Sequence, residues 1–317
     1  MKKTPYIILN PTSGGGLGKK LWPEMKECLE RFFKHITLRE TTAPGDAEKF
    51  ARAACDEGYN IIVACGGDGT IHEIINGILK APKHHDVALG FLNAGTGGDF
   101  IKTLKLPDSI QEQANILFHH KTERIDIGKI EFEESTHEAR FFINIADFGV
   151  GGLVVAKLLQ NRKVEGASFL DRKMAYLTST LKSYLEWIPQ DIEVTADKNT
   201  FTIKNASSVV IANGEFFGGG MPIANKASLG DGLFDIIAMS NEPFFLKLPL
   251  MPLKLLALYL GHVDKMPFVR RFKCRKVSLK NISKNQTQTA LDIDGEPFAH
   301  LPATFTIMPR ALNIISP

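Results

Sequence analysis

A two-domain α/β protein is predicted by three observations: a length of 317 residues, an early part that alternates short apolar runs with helical patterns, and a later part of short β-like segments. A chain of this length exceeds the size at which one hydrophobic core stops growing, so it divides. With 44% hydrophobic and 23% charged residues, the composition is that of an ordinary folded protein, neither disordered nor fibrous.

In the first part, residues 6–9 read as a strand, 19–34 as a helix, 47–56 as a second helix and 60–64 as a strand. A helix is expected to follow Thr70 and to end before Pro82, and residues 87–92 read as a further buried strand. Alternation of this kind predicts a mostly parallel sheet. Beyond about residue 126, segments 141–145, 192–196, 201–204, 207–212 and 233–239 predict mainly antiparallel sheet. Helices are expected at about 170–187 and over 244–262. The expected domains are therefore 1–126 and 127–317.

A formal charge of +3 is too small to mark a nucleic-acid-binding protein by itself. Cys28, Cys55, Cys65 and Cys274 are widely spaced with no C-x-x-C pair, which argues against zinc and a disulfide framework and fits a reducing cytoplasm. The start, MKKTPYIILNP, falls short of a signal-peptide apolar region. The greasiest stretch, 244–260, is interrupted by Lys247, Pro249, Pro252 and Lys254, which argues against a membrane-spanning helix.

Three glycine-bearing segments fall where strands of the first domain should end: NPTSGGGLG at 10–18, GGDGT at 66–70 and NAGTGGDF at 93–100. In open α/β sheets, ligands gather at the carboxyl ends of strands, and glycine lets backbone N–H groups approach a phosphate. Any one segment could be a plain turn, but three together predict a phosphate cradle. None is a P-loop or a G-x-G-x-x-G fingerprint, so the nucleotide is held by another scheme. Asp68 beside a polyphosphate implies an intervening divalent cation; the alternative is that it caps the following helix.

The ordered motifs NPTSGG (10–15), TTAPGDA (41–47), GGDGTIHEIINGI (66–78), AGTGGDF (94–100), IANGEFFGGGMPIANKASLGDGLFDI (211–236) and DIDGE (292–296) make the chain resemble the diacylglycerol-kinase catalytic family. The resemblance extends to that family's bacterial lipid-kinase, sphingosine-kinase and ceramide-kinase relatives. It implies a nucleotide-binding first domain of the NAD-kinase/diacylglycerol-kinase type, a β-sandwich-like second domain, and an active site in the cleft between them, with the last residues packing back on the first domain.

By this resemblance Asn10, Ser13, Gly14, Thr41, Gly66, Gly67, Asp68, Gly69, Thr70, Glu73, Gly95, Thr96 and Asp99 surround ATP. Asp68 helps organise catalytic Mg2+, and a structural metal falls on Asp231, with Ser228 and Leu233 contributing backbone carbonyls. Asp294 matches the family's general base for the lipid hydroxyl, with Glu296 its supporter or substitute. A carboxylate in reach of an alcohol can take its proton as the phosphoryl group moves. The Asp294→Asn and Asp68→Asn variants are expected to keep the fold and lose transfer. An Asp-Gly hairpin turn explains residues 294–295 equally well locally. The sequence departs from the family at Gly98, where asparagine is usual, at Gly230, where an aspartate is common, and at His72.

The resemblance implies an ATP- and Mg2+-dependent lipid kinase, with diacylglycerol the first-choice acceptor and phosphatidic acid the product. Its expected place is cytoplasmic, peripherally on the inner face of the membrane, with a lipid as partner, no nucleic acid, and a homodimer as one option. Residues 244–262 and the basic run 265–276, holding Arg270, Arg271, Lys273 and Arg275, offer an apolar and a basic surface for lipid; core packing and a solvated strand are the alternatives. Two other functions stay open: a kinase of a soluble substrate like the NAD kinases, and an inactive lipid- or nucleotide-binding relative.

Overall fold

Unbroken apolar runs build the first unit, which comprises Met1–Ile127 and Pro309–Pro317. The computed structural model describes residues 4–82, 84–93, 98–119, 121–133, 138–160, 169–240, 253, 256–266, 268–284 and 291–317. In chain order this unit holds β1 (Tyr6–Leu9), α1 (Ser13–Phe32), β2 (Thr37–Glu40), α2 (Asp46–Asp56), β3 (Ile61–Gly66), α3 (Asp68–Leu79), β4 (Ala88–Asn93), α4 (Asp99–Thr103) and α5 (Ile110–His119). It also takes the start of β5 (Thr122–Phe132).

The strands pair in parallel in the order β2-β1-β3-β4. β3 is buried at every position, as a parallel strand covered on both faces must be, and its Ile-Ile-Val-Ala-Cys run supplies the apolar side chains for both. α2 places Ala47, Ala51, Ala54 and Cys55 on one buried face. It packs closely on α3, since a Cβ at Gly77 would stand 2.2 Å from the Glu48 carbonyl oxygen. Ile7, Leu9, Met25, Leu29, Val63 and Leu92 belong to the core on the α1 side of the sheet.

The second unit, Gly128–Met308, is the β-rich one. It holds β6 (Arg140–Phe142), β7 (Ile145–Gly149), α6 (Val150–Gln160), α7 (Phe169–Glu186), β8 (Gln190–Ala196), β9 (Asn199–Ala212) and β10 (Phe234–Ser240). There follow β11 (Val269–Cys274), β12 (Lys276–Asn281), β13 (Leu291–Ile293), β14 (Glu296–Phe298) and β15 (Ala303–Ile315), whose last residues belong to the first unit beside β4. Within the second unit the order is β14-β13-β7-β9-β8-β12-β15, all antiparallel, with β10 pairing β9 and β11. β8 alternates buried and half-buried residues, the pattern of a strand with one packed face. Phe148, Trp187, Val194, Ile211, Phe234 and Phe305 lie in its core.

The expected strand over 141–145 is instead two strands broken at Ile143 and Asn144. The amides of Ile143, Asn144 and Ile145 all donate to the Asp294 carboxylate. The expected strands 201–204 and 207–212 are one strand, β9, which continues through Asn205 at a positive φ of 51°. α6 was not expected, because Gly151 and Gly152 disguise a helical run. The helix expected over 244–262 lies largely outside the described residues; within them 256–259 are helical. Among the described residues no helix is long and apolar enough to cross a membrane. All four cysteines are free and buried, and burial pushes the Cys65 thiol up to about 12.

Candidate active site

Glycine-rich turns follow β1 and β3 in the first unit. After β1, Gly14, Gly15 and Gly16 all take positive φ (60°, 71° and 95°), a path that side-chain-bearing residues resist. Asn10 ties this turn to the next: its Nδ2 donates to Thr70 Oγ1 at 3.0 Å, and Ser13 Oγ donates to the Asn10 carbonyl at 2.8 Å. Gly18 lets α1 approach, because a Cβ there would lie 2.2 Å from that same carbonyl.

At the end of β3, Gly66 makes room for Thr70, whose Oγ1 would lie 2.4 Å from a Cβ, and Gly67 caps α3. The first turn of α3 thus follows this glycine pair with the positive end of the helix dipole, an end that favours an anion. Asp68 sits in that first turn, and its Oδ2 accepts the Asp99 amide at 3.0 Å. Glu73, one turn further, accepts the amides of Gly45 and Ala47 at 2.8 and 3.0 Å, which fixes the 41–47 segment. Thr41 starts that segment by donating its amide to Leu9. Asp46 closes it, and the amide and hydroxyl of Thr42 and the amide of Ala43 hold its carboxyl below the usual range.

The structure thus brings Asn10, Ser13, Gly14, Thr41, Gly66–Thr70, Glu73 and Asp99 to linked turns of one unit. Gly95 and Thr96 lie outside the described residues. A Cβ at position 98 would stand 3.4 Å from Asp68 Oδ1, so Gly98 leaves out a side chain that would border this carboxylate. Asp68 thus receives the Asp99 backbone amide, while Asp99 Oδ1 lies 3.9 Å from Lys102 Nζ; carboxylate oxygen is the donor Mg2+ prefers, so Asp68 fits that ion.

In the second unit, β13 and β14 are joined by Asp294 and Gly295, both at positive φ (52° and 86°), the backbone of a tight Asp-Gly hairpin. Asp294 is 7% exposed. It accepts the amides of Ile143, Asn144 and Ile145 at 3.0, 3.0 and 3.1 Å and so uses at least three of its roughly four acceptor positions on the backbone. Glu296 is only half-buried. Asp292 is buried and accepts the Gly295 amide at 2.8 Å, and its carboxyl is raised well above the usual range by burial and then by Asp147.

The expected structural-metal residues are arranged otherwise. Asp231 Oδ1 accepts the Leu233 amide at 3.1 Å, and its Oδ2 receives Lys273 Nζ at 2.7 Å. Lys273 also lies 3.3 Å from Asp235, whose Oδ1 is 2.7 Å from Arg271. Burial works against the Lys273 ammonium, yet Asp231 and Asp235 hold it above its usual range. Ser228 is exposed, Gly230 brings no carboxylate, and among the described residues no group of three or more potential ligands gathers. Asp231 is thus paired with a lysine, and a divalent ion held by it and by the Ser228 and Leu233 carbonyls would take that ammonium's place.

Sequence reasoning passed over Asp147, on β7 opposite Asp292, and Ser208, which donates to Asp147 Oδ1. The available signal was an aspartate inside an otherwise apolar run, Ile-Ala-Asp-Phe-Gly.

The diacylglycerol kinase catalytic domain family matches residues 4–130, and the YegS C-terminal NAD kinase beta sandwich-like domain family matches residues 155–316. A diacylglycerol kinase of Staphylococcus saprophyticus is 28% identical over 321 residues, covering 100% of this chain and 96% of its own. The diacylglycerol kinase of Bacillus subtilis is 28% identical over 318 residues, covering 99% of this chain and 97% of its own. A crystal structure of a diacylglycerol kinase from Bacillus anthracis superposes with a TM-score of 0.71 at 19% identity, over 100% of this chain and 98% of that one, a likeness of fold. A parallel α/β unit with glycine turns at its strand ends, joined to an antiparallel β unit, is here the framework of a kinase acting on an alcohol. The chain belongs to the diacylglycerol kinase catalytic-domain family and is a lipid kinase of that kind.

Proposed function

We propose that the protein transfers the γ-phosphate of ATP to the free hydroxyl of diacylglycerol, giving phosphatidic acid. The observation that carries this reading is the linked set of turns in the first unit: the glycine-capped start of α3, three left-handed glycines after β1, and the Asn10–Thr70 tie between them. The relatives named diacylglycerol kinase support the acceptor. In this reading residues 1–126 bind the nucleotide and residues 127–317 the lipid.

Mg2+, held by Asp68, would offset phosphate charge. Asn10, Ser13 and Thr41 position the triphosphate, and Glu73 keeps the 41–47 segment in place. The base is drawn from the hairpin pair Asp294 and Glu296. The Asp294 carboxylate is committed to three amides, so Glu296 is the better placed of the two to receive the hydroxyl proton. The surface that meets the membrane is apolar: Leu253, Leu256 and Leu260 are 62%, 56% and 59% exposed. The basic run is a weaker candidate, since Arg271 and Lys273 pair with Asp235 and Asp231 and Arg270 lies 4.0 Å over the Phe201 ring.

The test is radiolabelled ATP with diacylglycerol in mixed micelles, beside NAD as a soluble acceptor. Labelled phosphatidic acid is expected, and Asp68→Asn should lower its rate by about 10²–10³-fold, as loss of a transition-state electrostatic group does. Label on NAD and none on lipid would reject the reading.

A further inference from the structure

Among the described residues β11 is an edge strand, paired with β10 alone, and a cleft of about 380 Å³ lies against it, within the size range of ligand sites. Lys226, Asp235, Val269, Arg271, Phe272 and Lys273 line it. Strand alternation puts Val269, Arg271 and Lys273 on one face of β11, and Arg270, on the other, lies over the Phe201 ring. Three cations thus meet at one cleft, and two of them, Lys226 and Lys273, are exposed.

The pairing that makes these side chains poor material for a diffuse basic surface fixes them as walls of the cleft. Arg271 Nε donates to Asp235 Oδ1 at 2.8 Å and its Nη1 to Asn225 Oδ1 at 3.1 Å, so the guanidinium is held from two sides. Asn225 is itself anchored, because its Nδ2 donates to the Gly261 carbonyl at 2.6 Å. Lys273 Nζ lies 2.7 Å from Asp231 and 3.3 Å from Asp235, which engages two of the three N–H groups of an ammonium and leaves a third for a ligand. Among these groups three cations face two carboxylates, so the cluster keeps a positive excess, and Arg270 and Arg275 close by in the chain add to it.

Carboxylate and phosphate are the groups that a guanidinium fork and an ammonium bind best. A carboxylate brings one charge and two oxygens. A phosphate monoester brings close to two charges and three oxygens, one for each cation here. Register places the cleft apart from the hairpin of Asp294: Lys273, Asp235, Ala212 and Ile145 face one another across β11, β10, β9 and β7, and the Ile145 amide donates to Asp294. Three strand spacings put Lys273 roughly 14 Å from Ile145, so a phosphate in the cleft is held away from the proposed base.

We propose that this cleft is a phosphate site of the second unit, and that Lys226, Arg271 and Lys273 bind a terminal phosphate dianion there. Val269 and Phe272 give it an apolar wall, so a phosphate on an apolar chain should bind more tightly than the free ion. Phosphatidic acid is of that class, and only its standing as the reaction product rests on the reading above.

The test is titration calorimetry of the full chain with dioctanoyl phosphatidic acid below its micellar concentration, with inorganic phosphate, and with octanoate. A non-hydrolysable ATP analogue and Mg2+ are present throughout to fill the proposed nucleotide site. Wild type should bind both phosphates, and Lys226→Ala should bind them about tenfold more weakly, the effect of one charge-assisted hydrogen bond lost. Arg271→Lys, which keeps the charge beside Asp235 but not the fork, should also weaken binding, whereas Arg270→Ala on the opposite face of β11 should match wild type. Tighter binding of phosphatidic acid assigns the site to a lipid headgroup, and equal affinities assign it to free phosphate; either supports the site. No binding of either phosphate, octanoate binding as tightly as they do, or equal losses in Lys226→Ala and Arg270→Ala would overturn it. Turnover is read separately in the kinase assay, so an inactive protein with this binding pattern would reject the reaction and keep the cleft.

Discussion

Asp147 holds its proton in the folded state up to about pH 7, whereas the unfolded chain releases it near 3.8. Between those values the native state binds more protons, so this residue's contribution to stability falls as pH rises and is fully lost above 7. Asp147→Asn removes the ionisation and keeps the shape. It should therefore be more stable than wild type at pH 8, by up to roughly 4 kcal/mol, with no such gain at pH 4, as read from denaturant midpoints. The hairpin carboxylates divide differently. Asp294→Asn puts an amide NH2 among three backbone donors, so it should keep the fold but lower stability by about 1–3 kcal/mol along with activity. Glu296→Gln should leave the melting temperature within a degree or two and lower kcat by about 10²-fold, the usual effect of losing a general base. Full turnover in Glu296→Gln would return the base role to Asp294.

Among elements, α1 depends on one close approach. Gly18→Ala forces a Cβ toward the Asn10 carbonyl, a backbone atom that cannot swing aside, and should cost about 1–3 kcal/mol while raising KM for ATP. Calorimetry and nucleotide titration would read the two effects. The parallel strands of the first unit were legible because a fully buried strand is a continuous apolar run, as in β3. The break between β6 and β7 was not, because its cause is Asp294, about 150 residues later in the chain. α6 was hidden by two glycines that local propensity counts against a helix.

At the scale of the molecule, the proposed membrane contact has an apolar and a basic candidate surface, and they answer differently to mutation. Leu256→Glu with Leu260→Glu should reduce co-sedimentation with phosphatidylglycerol vesicles while the far-UV spectrum is kept. Charge reversal at Arg271 should instead destabilise the fold by about 3–5 kcal/mol, because it puts a second carboxylate against Asp235, 1% exposed, in place of the guanidinium that shares it with Lys273. The two outcomes separate contact with lipid from loss of structure.

Class, motif order and the glycine turns proposed to bind phosphate were readable from the residues in order, because periodicity and glycine chemistry are local properties of the chain. Gly66 and Asp68 were named that way, and Asn10 and Glu73 through the family resemblance of the motifs. The commitment of Asp294 to three amides, the lysine at Asp231 and the buried acid on β7 came only from folding. Each joins residues distant in the chain, and burial and hydrogen bonding depend on which neighbours the tertiary structure supplies.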